Sequence, residues 1–134
     1  MSEAQIRAVV KRQFGKELPK GRIVVNSRGQ SYLFTGKMVC QNYDVIGMYI
    51  GTYEKDGFRP SIEGAQLISS EPMVELNEKE SRQWMCGLNV KKDAPKVPYI
   101  IVKYNGDIIG AGKPKEGELL NYTAKNRRLP LKLL

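Results

Sequence analysis

Histidine does not occur anywhere in the 134 residues. Its absence removes imidazole acid–base chemistry, Ser–His and Cys–His nucleophilic pairs, and most zinc and haem sites. Cysteine is scarce: Cys40 and Cys86 lie far apart and form no Cys-x-x-Cys motif, so they read as two small buried hydrophobes and not as a redox or metal pair. No apolar run approaches the ~20 residues that cross a bilayer, which leaves no expected membrane partner. The opening Met1-Ser2-Glu3-Ala4 lacks the charged-then-apolar layout of a signal peptide, and a cytoplasmic location is expected. A Gly-rich strand-to-helix loop for a dinucleotide or methyl-donor cofactor is also missing, so no cofactor, metal or catalytic residue is expected.

What the chain has in excess is positive charge. The formal net charge is +8 and the pI about 9.5, which favours a polyanionic partner. The charge is uneven. Glu71–Glu80 holds four glutamates and one lysine, whereas Asn121–Leu134 holds Lys125, Arg127, Arg128 and Lys132 without an acid. A positive tail beside a negative helix implies one functional face.

Hydrophobic spacing predicts a helix over 3–14, with Ser2 and Gln5 as a capping box, Ile6, Val9, Val10 and Phe14 on one face and Gly15 as C-cap. Arg7 and Lys11 fall on the opposite side and read as a solvated face. Ile23–Val25 and Tyr32–Phe34 flank the hairpin loop Asn26-Ser27-Arg28-Gly29, and Val39 and Cys40 extend another short strand. Ile46–Tyr53 is a longer strand, turned by Lys55-Asp56-Gly57 into Phe58 and Arg59, with Asp-Gly as a primed hairpin turn. Ser61 caps a short helix through Ala65–Ile68, weakened by Gly64. Glu71–Leu76 leads to a helix from Glu78 to Cys86, capped by Asn77 and Glu80, stopped by Gly87, with Trp84 and Met85 as buried contacts. Lys91–Val97 is a loop, and Glu118–Tyr122 a final strand before the tail.

The clearest element is the pair Tyr99–Tyr104 and Asp107–Lys113 around Asn105-Gly106. With Tyr104 opposite Asp107, simple register sets Val102 against Ile109 and Ile100 against Ala111 on an apolar side. The other side then carries Lys103 against Ile108, Ile101 against Gly110 and Tyr99 against Gly112. That makes a bare backbone strip edged by Tyr99 and Lys103, with Lys113 and Lys115 at its end. Glycine in a strand marks close approach by another backbone, either an RNA strand or a neighbouring element of the same chain.

The run Pro98-Tyr99-Ile100-Ile101-Val102-Lys103-Tyr104-Asn105-Gly106-Asp107-Ile108-Ile109-Gly110-Ala111-Gly112-Lys113 resembles the C-terminal PUA-like domain of the Sun/Fmu-type RNA cytosine methyltransferases. There, a strand pair ending in Gly-x-Gly-Lys is followed by Lys-Asn-x-x-Pro-Lys-Gly-x-Arg. The corresponding run here is Leu120-Asn121-Tyr122-Thr123-Ala124-Lys125-Asn126-Arg127-Arg128. Asn121, Lys125 and Arg128 match, Leu120 and Ala124 depart, and Asn126 stands for a glycine, where it is expected to tolerate a positive φ. Val45–Tyr53 with Phe58-Arg59-Pro60-Ser61-Ile62 is similar to the segment preceding that domain. It is also similar to the pre-PUA domain of a small PUA-containing protein of large-subunit ribosome assembly. The methyltransferase domain and its Pro-Cys catalytic motif have no counterpart.

The expectation is therefore an α+β chain: a small mixed, mainly antiparallel PUA-like β-barrel with flanking helices. It comprises an N-terminal pre-PUA-like region over 1–76 and a C-terminal PUA-like region over 77–134, joined as one unit. The resemblance implies a non-catalytic protein of rRNA or tRNA modification or ribosome biogenesis. It would grip structured RNA through Tyr99, Lys103, Gly110, Gly112, Lys113, Lys115, Asn121, Tyr122, Lys125, Asn126, Arg127 and Arg128. An RNA-modifying enzyme or an assembly factor is the expected protein partner. Two other classes remain open: a protein-interaction subunit of such a complex, and an enzyme built on Glu54, Asp56 and Glu63 with Tyr or Lys partners.

Overall fold

A computed structural model of the protein describes residues 1–34 and 47–134. Helix α1 (Glu3–Phe14) begins at the expected Ser2–Gln5 capping box and ends at Gly15 in a left-handed conformation. It buries Ile6, Val9, Val10 and Phe14. Strands β1 (Arg22–Val25), β2 (Gln30–Phe34), β3 (Met48–Glu54) and β4 (Gly57–Pro60) follow, and the described residues form an antiparallel sheet in that order. The strand expected at Val39 and Cys40 lies outside the described residues, as do Val45 and Ile46. The β3–β4 turn is Lys55-Asp56, neither residue has a positive φ, and Gly57 opens β4 at φ 141°. The hairpin stands, but its turn is not the primed Asp-Gly type, because the glycine sits one place beyond it.

Helix α2 (Ile62–Ile68) is capped by Ser61, whose hydroxyl donates to the Tyr49 carbonyl (2.7 Å) and accepts from Gly64 N–H (3.0 Å). Gly64, a weakness in a helix, is a requirement here: a Cβ there would stand 1.8 Å from the Ile50 carbonyl oxygen. The helix presses directly onto β3.

The second sheet comprises β5 (Met73–Glu75), β6 (Val90–Lys91), β7 (Ile100–Tyr104), β8 (Asp107–Lys115) and β9 (Glu118–Asn121). Its order is β5-β7-β8-β9-β6, with only β5–β7 parallel. Between β5 and β6 runs helix α3 (Glu78–Met85), opened by the expected Asn77–Glu80 capping box. The chain is thus a mixed α+β protein with curled sheets, the five-stranded one a half-barrel, and flanking helices. Sheet membership does not follow the division after residue 76, since β5 hydrogen-bonds into the C-terminal sheet.

Two apolar cores share β7. Ile101, with Tyr99 and Ala111, joins α1, α2 and the first sheet, while Ile100 and Val102 join Trp84, Val90 and Leu119. Strand side chains alternate between faces, so β7 is buried on both, and the expectation of one open face is corrected.

The β7–β8 register also differs from the simple count. Tyr104 pairs with Asp107 and Lys103 with Ile108, but a bulge follows, so Val102 pairs with Gly110, Ile101 with Ala111 and Ile100 with Gly112. A one-residue slip reverses which face each side chain takes. Gly110 and Gly112 therefore lie with Ile100 and Val102, facing α3, and not beside Tyr99 and Lys103. A Cβ on Gly112 would stand 2.5 Å from Trp84 Cη2. What approaches the bare strip at Gly112 is the chain's own indole. Burying that ring contributes roughly 4–6 kcal/mol by area.

Candidate nucleic-acid interface

The two sheets meet along a seam, where three ion pairs and two hollows gather. Strand β4 points Phe58 into the core and Arg59 outward, as alternation requires. The segment after β9 then crosses the seam, bringing Tyr122, Thr123 and Ala124 against β4 and β8. A cleft of about 270 Å³ results, its lining including Tyr49, Arg59, Ser61, Gly110, Tyr122 and Arg127. A second depression of about 390 Å³ lies alongside, lined by Glu54, Lys55, Asp56, Arg59, Tyr99, Lys113 and Tyr122.

Arg59 and Tyr122 border both. The guanidinium carbon stands 4.7 Å from the Tyr122 ring centroid, a cation–π ridge between the two hollows. Tyr122 is 44% exposed. Its neighbour Tyr99 meets it edge-on at 6.4 Å.

The seam cations are mostly paired with carboxylates. Arg59 bonds Glu54 at 3.2 Å and Arg127 bonds Glu63 at 2.8 Å. Lys113 pairs with Asp56, which also accepts the Tyr99 hydroxyl at 2.7 Å, and the ammonium lies 5.4 Å from the Tyr99 ring centroid. The Arg127 hydrogen bond holds the Glu63 carboxyl below its usual range, against a smaller opposing effect of burial. Burial, first, pushes the Tyr99 phenol up. Among the described residues Lys55, Lys115 and Lys125 make no ion pair.

Of the residues singled out in the sequence, the fold gathers Gly110, Lys113, Tyr122 and Arg127 at the seam, with Tyr99 just beneath. Tyr99 is only 3% exposed, so its ring supports the surface from below and is not free to stack. Lys103 points elsewhere, toward Glu75 at 3.8 Å. Lys115 is exposed near the β8–β9 turn. Asn121 is committed to the fold: its amide donates to the carbonyls of Trp84 (2.8 Å) and Leu88 (3.1 Å), locking the end of β9 to α3.

Lys125 and Asn126 are exposed in a 3-10 turn, Lys125–Arg127. Asn126 does not have a positive φ, which corrects the expected left-handed turn. Arg128 Nε donates to the Thr123 carbonyl (2.8 Å), and a Cβ on Gly87 would stand 2.3 Å from Arg128 Cδ. It fastens the tail and does not face the seam.

Sequence reasoning missed Arg59, Tyr49 and Lys55 as site residues. The available signal was local: Arg59 is a lone cation alternating with buried Phe58 just before a helix cap. Its approach to Tyr122, 63 positions later, had none. No family model matches the chain, and no curated protein matches it.

Proposed function

We propose that this chain is a non-catalytic, PUA-like RNA-binding protein of the cytoplasmic rRNA or tRNA modification or ribosome-assembly machinery, and that it grips structured RNA along the seam. The observation that carries this reading is the Arg59–Tyr122 ridge, flanked by Lys113 and Lys55 on one side and Arg127 on the other. Cations beside an exposed aromatic ring suit a phosphate backbone with accessible bases. The carboxylates that pair these cations do not oppose it. An exposed ion pair is worth about 0–1 kcal/mol, and a phosphate releasing counterions competes with that easily.

The same pairing supports a binder over an enzyme. Glu54, Asp56 and Glu63 are each engaged by a cation, and Arg127 holds the Glu63 carboxyl below its usual range, which weakens it as a base.

Filter binding to a structured RNA across a salt series tests the proposal. Neutralising about four phosphates gives a log–log slope of magnitude about 3 to 4. A flat response, or no binding at low salt, overturns it. A second reading, a protein-interaction subunit of an RNA-modifying or ribosome-assembly complex, is favoured by one observation. Leu129, Leu131, Leu133 and Leu134 are 45–60% exposed at the end of the chain, and contiguous apolar exposure marks docking surfaces. Co-purification of a protein partner lost on changing these leucines, without any RNA affinity, would put that reading first.

A further inference from the structure

Positive charge is concentrated away from the seam. Residues 1–34 hold seven lysines and arginines against two acids, a surplus of five out of the net eight, whereas residues 47–134 hold fourteen against eleven. Both acids of the first region are engaged. Glu3 pairs with Arg7 and accepts from Ile23 N–H, and Glu17 pairs with Lys11. Among the described residues Arg12, Lys16, Lys20 and Arg22 make no ion pair, and all four are exposed.

Helical spacing explains the placement. Ile6, Val9, Val10 and Phe14 take the core side of α1, so Arg7, Ala8, Lys11 and Arg12 fall on the opposite side. The loop 15–22 returns along that side, where its Glu17, Leu18 and Lys20 line a depression of about 340 Å³ with Arg7, Ala8 and Lys11. Arg7 is committed there to backbone carbonyls, which leaves the ammonium groups of Lys11 and Lys20. Gln13 joins this face to the seam. Its side-chain amide donates to the Phe58 carbonyl (3.1 Å) and accepts from Phe58 N–H (2.6 Å). The last turn of α1 is thereby set against the hairpin that carries Lys55, a residue of the second seam hollow.

We propose that α1 and the loop after it form a second RNA contact, which holds the phosphates of a helical stem through Lys11, Arg12, Lys16 and Lys20 while the seam grips an unpaired stretch of the same molecule. This extends the RNA reading and rests on it. Three features select a stem. The only aromatic residue in 1–22 is Phe14, which is 3% exposed. Nothing on this face therefore stacks an unpaired base, whereas a stem presents phosphates with its bases turned inward. Met1 is the only exposed large hydrophobic of the region. A protein interface needs a buried apolar or aromatic anchor, and a helix lying on a membrane needs an apolar face toward the lipid, but that of α1 is in the core. Lysine is a point charge on a flexible stem and accepts a phosphate without fixed geometry, which suits contact independent of sequence.

Two hairpin RNAs with the same loop test it, one with a stem of about five base pairs and one of about sixteen, the length that a duplex-binding domain spans. Filter binding across a salt series should give wild-type slopes that differ in magnitude by about three, the longer stem being the steeper. Lys11→Gln, Arg12→Gln, Lys16→Gln and Lys20→Gln in one protein should remove that difference and leave the short-stem RNA bound with nearly the wild-type slope. Equal wild-type slopes with both RNAs, or a stem preference that survives the four changes, overturn the second contact and leave the RNA reading standing. No binding of either RNA overturns both. Wild-type binding to phosphatidylserine vesicles that the four changes abolish, without any stem preference, assigns the face to a membrane and also overturns the proposal. If the fourfold variant fails to fold, Lys16→Gln with Lys20→Gln, both outside the helix, should reduce the slope difference by about two. No reduction there overturns the contact.

Discussion

Two arginines, one on the first helix and one near the middle of the chain, show opposite uses of the same side chain. Arg7, on α1, donates to three carbonyls of its own chain, Leu18 and Pro19 at 3.1 Å and Gly21 at 2.9 Å, and pairs with Glu3 at 3.1 Å. Glu3 in turn accepts from Ile23 N–H. Arg7 therefore ties the helix to the loop entering β1, and the expectation of a solvated helix face is corrected for it. Lys11 pairs with Glu17, and both side chains are well exposed. Arg59, at the seam, has one carboxylate and one aromatic face as partners. A guanidinium surrounded by backbone carbonyls is spoken for by the fold, since releasing it strands several acceptors at once. A guanidinium opposite one exposed carboxylate can exchange that partner for a phosphate at little cost.

The largest expected effect tests which side of this division the glycine strip belongs to. Gly112→Val should destabilise the protein by about 3 kcal/mol or more, because its Cβ collides with the Trp84 ring and approaches the Leu120 carbonyl. Chemical denaturation measures it. Native stability with lost RNA binding would instead place the strip among the exchangeable surfaces. Next, Arg7→Ala should cost about 2 kcal/mol by the same assay, through the loss of a charged donor to three carbonyls, with RNA affinity unchanged in the folded fraction. An Arg7→Ala protein of wild-type stability would break the contrast.

The double change Arg59→Ala with Arg127→Ala should do the reverse. Thermal melting should shift little, while the magnitude of the salt slope for RNA falls by about two, one per phosphate contact.

The smallest effect is in acid. Glu63 is held below its ordinary value of 4.5 by Arg127. A depressed folded value means that the link between α2 and the tail contributes fully above about 4.5 and is lost as the pH falls through the lower, folded value. Since the pair is a third to a half exposed, the contribution is at most about 1 kcal/mol. Comparing acid melting of the wild type and Glu63→Gln checks it, and the difference should vanish at low pH.

Local chemistry was legible from residues alone. Both capping boxes, the Gly15 and Ser61 caps and the Asn105-Gly106 turn, whose φ values are 49° and 85°, depend on neighbours within four positions. The α+β class and antiparallel pairing followed from the same signals. The strand expected over Asp107–Lys113 runs on through Pro114 and Lys115 to a turn at Glu116-Gly117 that was not among the expected elements.

The sequence by itself determined where helices start, where hairpins turn and how strongly positive the surface is, because each depends on nearest neighbours or on a sum over residues. Only the tertiary structure decided the candidate site. The bulge between Val102 and Lys103 turned Gly110 and Gly112 from the expected outer face toward Trp84, and α2 covered the face that Ile101 and Tyr99 share. Arg59 met Tyr122 across two sheets. A register slip and a packing partner distant in the chain are properties of the folded contact set. No local pattern encodes them, and a single residue of slip suffices to exchange an open strip for a buried one.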